Sequence, residues 1–401
     1  MTLTDTRPSE PFVEAKARIA AAVEANRDEI LELSHRIHEH PETAFEEHRA
    51  AGWVADAIRR HGFEVEAPVG GLATAVRGRL AGGRADGPRI AILAEYDALP
   101  GLGHGCGHNT MAASGVGAAI ALASIADQLS GEITFIGTPA EERGSGKAVL
   151  IEAGVFDGLD AALLYHPCDR NHVLSYPLAS EDVHVTFRGL QAHAASDPWK
   201  GRNALDAMVV LFTSIGLWRQ QLPVDALVHG VIQEGGTAAN IIPDRTVAWF
   251  MLRSANPETY RVIRDRFEAI AQAAAQATDT SVEIEFSGGS TVMRNNGVLA
   301  ARWMANAEAY GVADQGPDSQ SGSTDMGNVS QVMPAIHPDL AIAPEGTPGH
   351  SLRFREAAAG PQADETTLLA ATLVAQTAYD LFADPSLVRA AWEEFRAGDV
   401  R

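Results

Sequence analysis

An α/β chain, with a mostly parallel central sheet flanked by helices and a smaller α+β domain inserted into it, is predicted by three observations. In the first 180 residues, apolar runs of strand length alternate with stretches of helical periodicity, the order that builds a parallel sheet. From Asp182 to Phe286 the rhythm changes to strands and two helices of antiparallel character. After Asn296 the helical pattern resumes. The expected organisation is therefore a discontinuous main domain, 1–180 and 295–401, around an insert at 181–294. A length of 401 residues, beyond the usual size of one core, agrees with this division.

Helical spacing of Ile19, Val23, Ile30, Leu31 and Ile37 over 13–38, repeated over 50–61, predicts two helices before the first strands. Strands are expected at 63–65, 73–76 and 89–94, the last apolar throughout and so buried on both faces. A helix at 109–129 follows. Its apolar part, 111–126, is short of the roughly 20 residues a membrane span needs and reads as a buried helix. Further strands are expected at 132–137 and 161–165. The insert reads as strand 182–188, helix 204–219, strands 226–233 and 246–253, helix 257–278 and strand 282–286. Helices at 298–310 and 365–381, a segment at 326–332 and a short strand at 340–342 complete the chain.

Composition narrows the functional classes. A formal net charge of -21 without any basic block repels phosphate backbones and argues against nucleic acid as a partner. The polar N-terminus lacks the basic-then-apolar pattern of a signal peptide, and no segment suits a membrane. Two cysteines, Cys106 and Cys168, make no secreted scaffold, so a reducing cytoplasm is expected.

The chemistry gathers at strand ends, where open α/β sheets place their sites. Glu95-Tyr96-Asp97-Ala98-Leu99-Pro100 leads into Gly105-Cys106-Gly107-His108-Asn109, the next strand runs into Pro139-Ala140-Glu141-Glu142, and the following one into His166-Pro167. Cys106, His108, Glu142, His166 and His350 are candidate metal ligands, with Asp97 behind them. A thiolate, imidazoles and a carboxylate suit Zn, Mn, Co or Ni better than Ca or Mg. So many ligands imply more than one ion, and a pair roughly 3.5–4 Å apart polarises a carbonyl and activates water. One of Glu141 and Glu142 then binds metal while the other moves the proton; composition does not say which. For His350, the Pro-Gly-His-Ser context selects it over nearby His337. Cys168 reads as a partly buried thiol and His104 as loop or support for the site. Thr324 and Asp325 suit a helix cap as well as a pocket wall, with one of them expected near the site.

Together, Leu99-Pro100, Gly105-Cys106-Gly107-His108-Asn109, Pro139-Ala140-Glu141-Glu142, Tyr165-His166-Pro167 and Pro348-Gly349-His350-Ser351 resemble the M20 family of metallopeptidases and amidohydrolases. The Cys-Gly-His form is similar to its subfamily D. Asn109 in place of the commoner aspartate, with Glu95 to Pro100, resembles the group containing aminobenzoyl-glutamate hydrolase and related M20-domain dipeptidases. The resemblance implies that Cys106, His108, Glu142, His166 and His350 hold two divalent ions, Mn2+ or Zn2+ with Co2+ and Ni2+ as alternatives. It implies Glu141 as general base and acid, and an insert that serves as lid and dimerisation domain. His193, in Gly189-Leu190-Gln191-Ala192-His193-Ala194, is implied to reach the partner subunit's site and support the oxyanion. Asn240, in Asn240-Ile241-Ile242-Pro243, is implied at the substrate, and Arg253 suits a clamp on a substrate carboxylate. Asp97 and Asn109 stand behind the ligands, Asn109 with one negative charge fewer than its relatives carry.

The expected protein is a homodimeric, metal-dependent amidohydrolase that cleaves N-acyl or aminoacyl amino acids by attack of metal-bound hydroxide. A dipeptidase or aminobenzoyl-glutamate-type hydrolase of narrow specificity is the alternative within enzymes. From another class, the alternative is a metal- or ligand-binding member without catalysis, against which the Glu141-Glu142 pair argues.

Overall fold

The computed structural model describes residues 10–317 and 322–398. Three helices, α1 (Glu10–Ala25), α2 (Arg27–Glu39) and α3 (His48–Arg60), precede the first strand, where the periodicity predicts two. The break falls at Asn26. Its backbone leaves helical geometry (φ -110, ψ 16) and its amide donates to Ala22 O at 2.7 Å, while Asp28 and Glu29 favour a new helix start.

Strands β1 (Glu64–Glu66), β2 (Val76–Ala81) and β3 (Arg84–Glu95) follow, then α4 (His108–Ala123), β4 (Ser130–Thr138), α5 (Gly146–Glu152), β5 (Ala161–Leu163) and β6 (His166–Cys168). The strand expected at 73–76 begins at Val76 instead, because turns closed by Leu72 N to Val69 O and Ala75 N to Leu72 O occupy the residues before it. Likewise α4 stops at Ala123, and only a 3-10 turn at Ala126–Gln128 continues the expected 109–129 helix. Next come β7 (Ala179–Arg188), α6 (Ala204–Trp218), β8 (Ala226–Glu234), β9 (Arg245–Ser254), α7 (Pro257–Ala277) and β10 (Ser281–Ser290). The remainder is α8 (Gly297–Ala309), α9 (Met326–Val332), β11 (Ala335–Ile336), β12 (Asp339–Ala341), α10 (Leu352–Ala357), α11 (Pro361–Ala383) and α12 (Pro385–Ala397). Among the described residues, no helix is long and apolar enough to cross a membrane.

The chain forms two compact units: Pro177–Met293 together with the residues just before Asn328, and the remainder. In the larger unit the sheet order is β1-β2-β4-β3-β5-β11. The β4–β3, β3–β5 and β5–β11 pairs are parallel, whereas β1–β2 and β2–β4 are antiparallel, so the sheet is mixed and its parallel half carries the ligand motifs. Register matters here. Glu95 pairs with Thr138 and Ile92 with Leu163, which brings the carboxyl ends of three strands, and the motifs that follow them, to one edge. Beyond β5, β6 pairs in parallel with β12, His166 opposite Asp339.

Every residue of α4 from His108 to Leu122 is buried, and the helix packs against β3, α2 and α11. Its alanines and glycines permit that depth. A Cβ on Gly115 would lie 2.9 Å from both Leu93 O and the Ala94 side chain. The smaller unit is a four-stranded antiparallel sheet, order β10-β7-β9-β8, with α6 and α7 packed on it. Val183, Val185, Phe187, Phe250, Leu252 and Phe267 form the centre of its core. Its edge strand β8 is mostly exposed.

Because Gly115 meets backbone rather than a flexible side chain, Gly115→Val should cost about 1–3 kcal/mol or more through overpacking. Thermal unfolding is the measurement, and a variant as stable as the native chain would contradict this packing.

Candidate metal centre

After Glu95 the chain leaves β3 and loops back to α4 through turns closed by Gly103 N to Leu99 O and Gly107 N to His104 O. Gly107 separates the two ligand candidates of this loop and sits at φ 80, at the N-cap of α4. A side chain there would be strained and would place its Cβ 2.8 Å from Pro167 Cγ, in the next ligand motif. The opposing segment is held by a hydrogen bond from His350 N to Gly105 O of 2.9 Å. His350 itself adopts φ 54, a conformation rare for a side-chain-bearing residue.

The structure brings the five candidate ligands together. Cys106 Sγ lies 3.5 Å from His166 Nε2, and His350 Nε2 lies 3.5 Å from Glu142 Oε1. Donors held by one tetrahedral ion at about 2.0–2.3 Å stand roughly 3.3–3.7 Å apart, so both separations fit shared ions. Ligand atoms of Cys106, His108 and His166 lie within 4.8 Å of one another, as do those of Cys106, Glu142 and His350. Cys106 belongs to both groups. His108 Nε2 and Glu142 Oε1 are buried without a hydrogen-bond partner, a costly state that a cation relieves.

Asp97 holds two of these ligands. Its Oδ1 and carbonyl oxygen accept from His108 Nδ1 at 3.1 and 2.9 Å, and its Oδ2 accepts from Glu142 N at 2.9 Å. With Nδ1 donating, Nε2 of a neutral His108 carries its lone pair toward the centre. Burial opposes ionisation of Asp97, but the hydrogen bonds it accepts from His108 and from Glu142 N–H help keep the carboxyl below its ordinary value. Desolvation takes His166 down to about 3, leaving the neutral imidazole a metal requires. Desolvation and the Glu142 charge push the Cys106 thiol up, and a bound divalent ion is what turns such a thiol into thiolate.

Glu141 stands beside this shell, its Oε2 4.0 Å from His108 Nε2 and its side chain 10% exposed. Asn109 is buried, and its amide nitrogen donates to Ser34 Oγ and Ala358 O, tying the start of α4 to neighbouring segments. His337, the competitor of His350, is buried with its ring edge-on to His166 at 5.3 Å between centroids. Cys168 is a free, half-buried thiol. His193, Asn240, Arg253 and Thr324 lie in the smaller unit. There His193 Nδ1 accepts from Ala195 N and Ser196 N, and Asn240 O accepts from Ala194 N. Arg253 Nε contacts Met251 Sδ, while Thr324 Oγ1 accepts from Met326 N and so caps α9.

Two supports went unassigned in the sequence. Glu47, fully buried, accepts from Ala140 N at 2.9 Å, Phe45 N at 3.0 Å and Thr74 Oγ1 at 2.9 Å. Ala140 takes φ 61, so Glu47 pins the strained turn that presents Glu141 and Glu142. Lys147, also fully buried, donates to Glu95 Oε1 at 2.5 Å. No local motif marks either residue.

A strand-end cluster of this kind offers the donor set of a metal-dependent hydrolase, and the comparisons with known proteins define the class. The model of peptidase family M20/M25/M40 matches residues 91–364, and the chain belongs to that family. It is similar to the Xaa-Arg dipeptidase of Mus musculus, 38% identical with 97% of this chain and 96% of the relative covered. It is also similar to one of the polypeptides of the Escherichia coli p-aminobenzoyl-glutamate hydrolase, 30% identical with 93% of each covered. A Bacillus subtilis structure described as a dinuclear metal-binding M20 peptidase shares the fold, with a TM-score of 0.67, 22% identity and coverage of 90% of this chain and 99% of that one. The protein is thus a metal-dependent amidohydrolase.

Burial, with the Asp97 charge adding to it, raises the Glu47 carboxyl from 4.5 to about 7 against the pull of its hydrogen-bond donors. A folded-state value above the unfolded one gives stabilisation that is complete below the unfolded value and lost as pH rises through the folded one. Between about pH 4.5 and 7, the native chain should therefore lose on the order of 2–3 kcal/mol relative to the isosteric, uncharged Glu47→Gln. Paired melting curves across that range test it; a constant difference would mean that Glu47 does not titrate there.

Proposed function

We propose that this enzyme cleaves the amide bond of N-acyl or aminoacyl amino acids at a two-ion centre held by Cys106, His108, Glu142, His166 and His350, with Glu141 as proton carrier. The observation that carries this reading is the pair of overlapping ligand groups joined through Cys106, with Glu141 beside them. When bound, the ions, Mn2+ or Zn2+ in our reading, polarise the amide carbonyl and make water more acidic. Glu141 lies next to the ligand Glu142 and keeps part of its side chain exposed, so it can take the proton of the attacking water and hand it to the departing nitrogen. Asp97 keeps His108 and Glu142 from shifting during this exchange.

His193 supplies the oxyanion donor in this scheme. Because Nδ1 accepts two backbone N–H groups, the proton of the neutral ring resides on Nε2, which is the donor such a site needs. Its exposure suits action on another subunit. Edge strand β8, paired with β9 on one side only, carries exposed Leu227, Val231 and Ile232, an open apolar edge that supports a homodimer formed through the smaller unit, which would also act as lid. Arg253, Asn240 and Thr324 are assigned to the substrate carboxylate and its surroundings. Two free thiols suit a reducing cytoplasm. A narrower reading, a dipeptidase with one preferred class of substrate, is favoured by the extent of identity with the Xaa-Arg dipeptidase.

A screen of metal-loaded protein on N-acyl amino acids, dipeptides and aminobenzoyl-glutamate, read as released amine, tests the function. Hydrolysis of none of them, with metal bound, would leave only a binding role. Glu141→Gln should keep its metal while kcat falls by about 10²-fold or more. Mixing inactive Glu141→Gln and His193→Ala subunits should restore about a quarter of native activity if His193 acts across a two-fold dimer. No recovery after confirmed subunit exchange would remove that role.

A further inference from the structure

Glu95 and His108 present a conflict that the five-ligand centre leaves unresolved. His108 Nδ1 lies 2.9 Å from a carbonyl oxygen and 3.1 Å from a carboxylate oxygen of Asp97, both acceptors, so Nδ1 carries a proton. In the neutral ring Nε2 is then an acceptor. Facing it at 3.3 Å is Glu95 Oε2, another acceptor. Both side chains are fully buried, and neither atom has a hydrogen-bond partner. Two lone pairs that close, shut away from water, need a cation between them.

We propose that Glu95 is a metal ligand, sharing with His108 one ion of the centre, and that Lys147 directs it there. The proposal rests on the two-ion reading above. A separation of 3.3 Å matches donors on one ion at about 2.0–2.2 Å, with a subtended angle of roughly 105°. Glu95, His108 and Glu141 form a third group whose ligand atoms lie within 4.8 Å of one another. Lys147 Nζ occupies Oε1 at 2.5 Å, leaving Oε2 turned toward His108. The ammonium also offsets part of the negative charge that Glu95 adds to Asp97, Glu142 and the Cys106 thiolate. The rival is a proton on His108 Nε2, giving an imidazolium paired with Glu95 and no ligation.

Cobalt loading of the full chain decides between them, read by bound metal per subunit, titrated affinity and visible absorption. Glu95→Gln combined with Lys147→Met removes both charges together and leaves no buried ion unpaired. The native chain should bind two Co2+, and the double variant should lose about tenfold or more in affinity at one position, with a changed spectrum. Unchanged affinity and spectrum in a variant that still binds two ions would overturn the Glu95 assignment while sparing the two-ion centre. A native chain that binds no ion would instead overturn the two-ion reading, and this proposal with it. Should the double variant not fold, Lys147→Met alone decides. With Glu95 lacking its ammonium, Co2+ should raise its melting temperature more than that of the native chain; an equal gain would overturn ligation.

Discussion

The centre depends on the clamp made by Asp97. One carboxylate at the end of β3 holds an imidazole that opens α4 and a backbone N–H that follows β4, so two neighbouring strands and a buried helix meet through a single side chain. Burial alone would neutralise such a group, and it stays ionised because everything it touches donates to it. Take that carboxylate away and His108 Nδ1 keeps only the Asp97 carbonyl oxygen, while the turn bearing Glu142 loses its anchor. The parallel register of β3 with β4 and β5 makes the clamp geometrically available.

Around the clamp the protein accepts local strain. Ala140 and His350, neither a glycine, take positive φ within or beside the ligand motifs. Both are held by named bonds, Ala140 by the Glu47 carboxylate and His350 by Gly105 O. Strained backbone persists where its surroundings over-determine it, and here those surroundings are a buried acid and a ligand loop. The result is a set of donors whose positions are fixed by neighbours before any ion arrives.

Much of this was legible in the sequence, for a physical reason. The ligand motifs are short, sit directly after apolar strands and contain side chains with few other reasons to gather there. Cys106, His108, Glu142 and His166 could therefore be placed at one sheet edge without coordinates. His350 could not be separated from His337 by local context except through its Pro-Gly-His-Ser setting; in the fold, its bond to Gly105 brings it to Glu142 while His337 packs behind His166. Glu47 and Lys147 left no trace, because their partners Ala140 and Glu95 lie 93 and 52 residues away. The break at Asn26 was hidden as well, since its amide competes with the helix in a way that apolar spacing does not register. Short helices such as α5 and α10, held by tertiary packing, carry too few turns to announce a period.

Cys106 belongs to two of the candidate ligand groups, and that sharing would join the fates of two ions held there. In the proposed two-ion reading, the thiol would surrender its proton to whichever ion bound first, whereas the second would meet a thiolate already formed. Loading would then be cooperative through a proton released once. An oxidant that converts this one sulfur to a sulfenic or sulfinic acid takes a donor from both positions together. In that reading, one redox-active atom would answer for a donor at both positions.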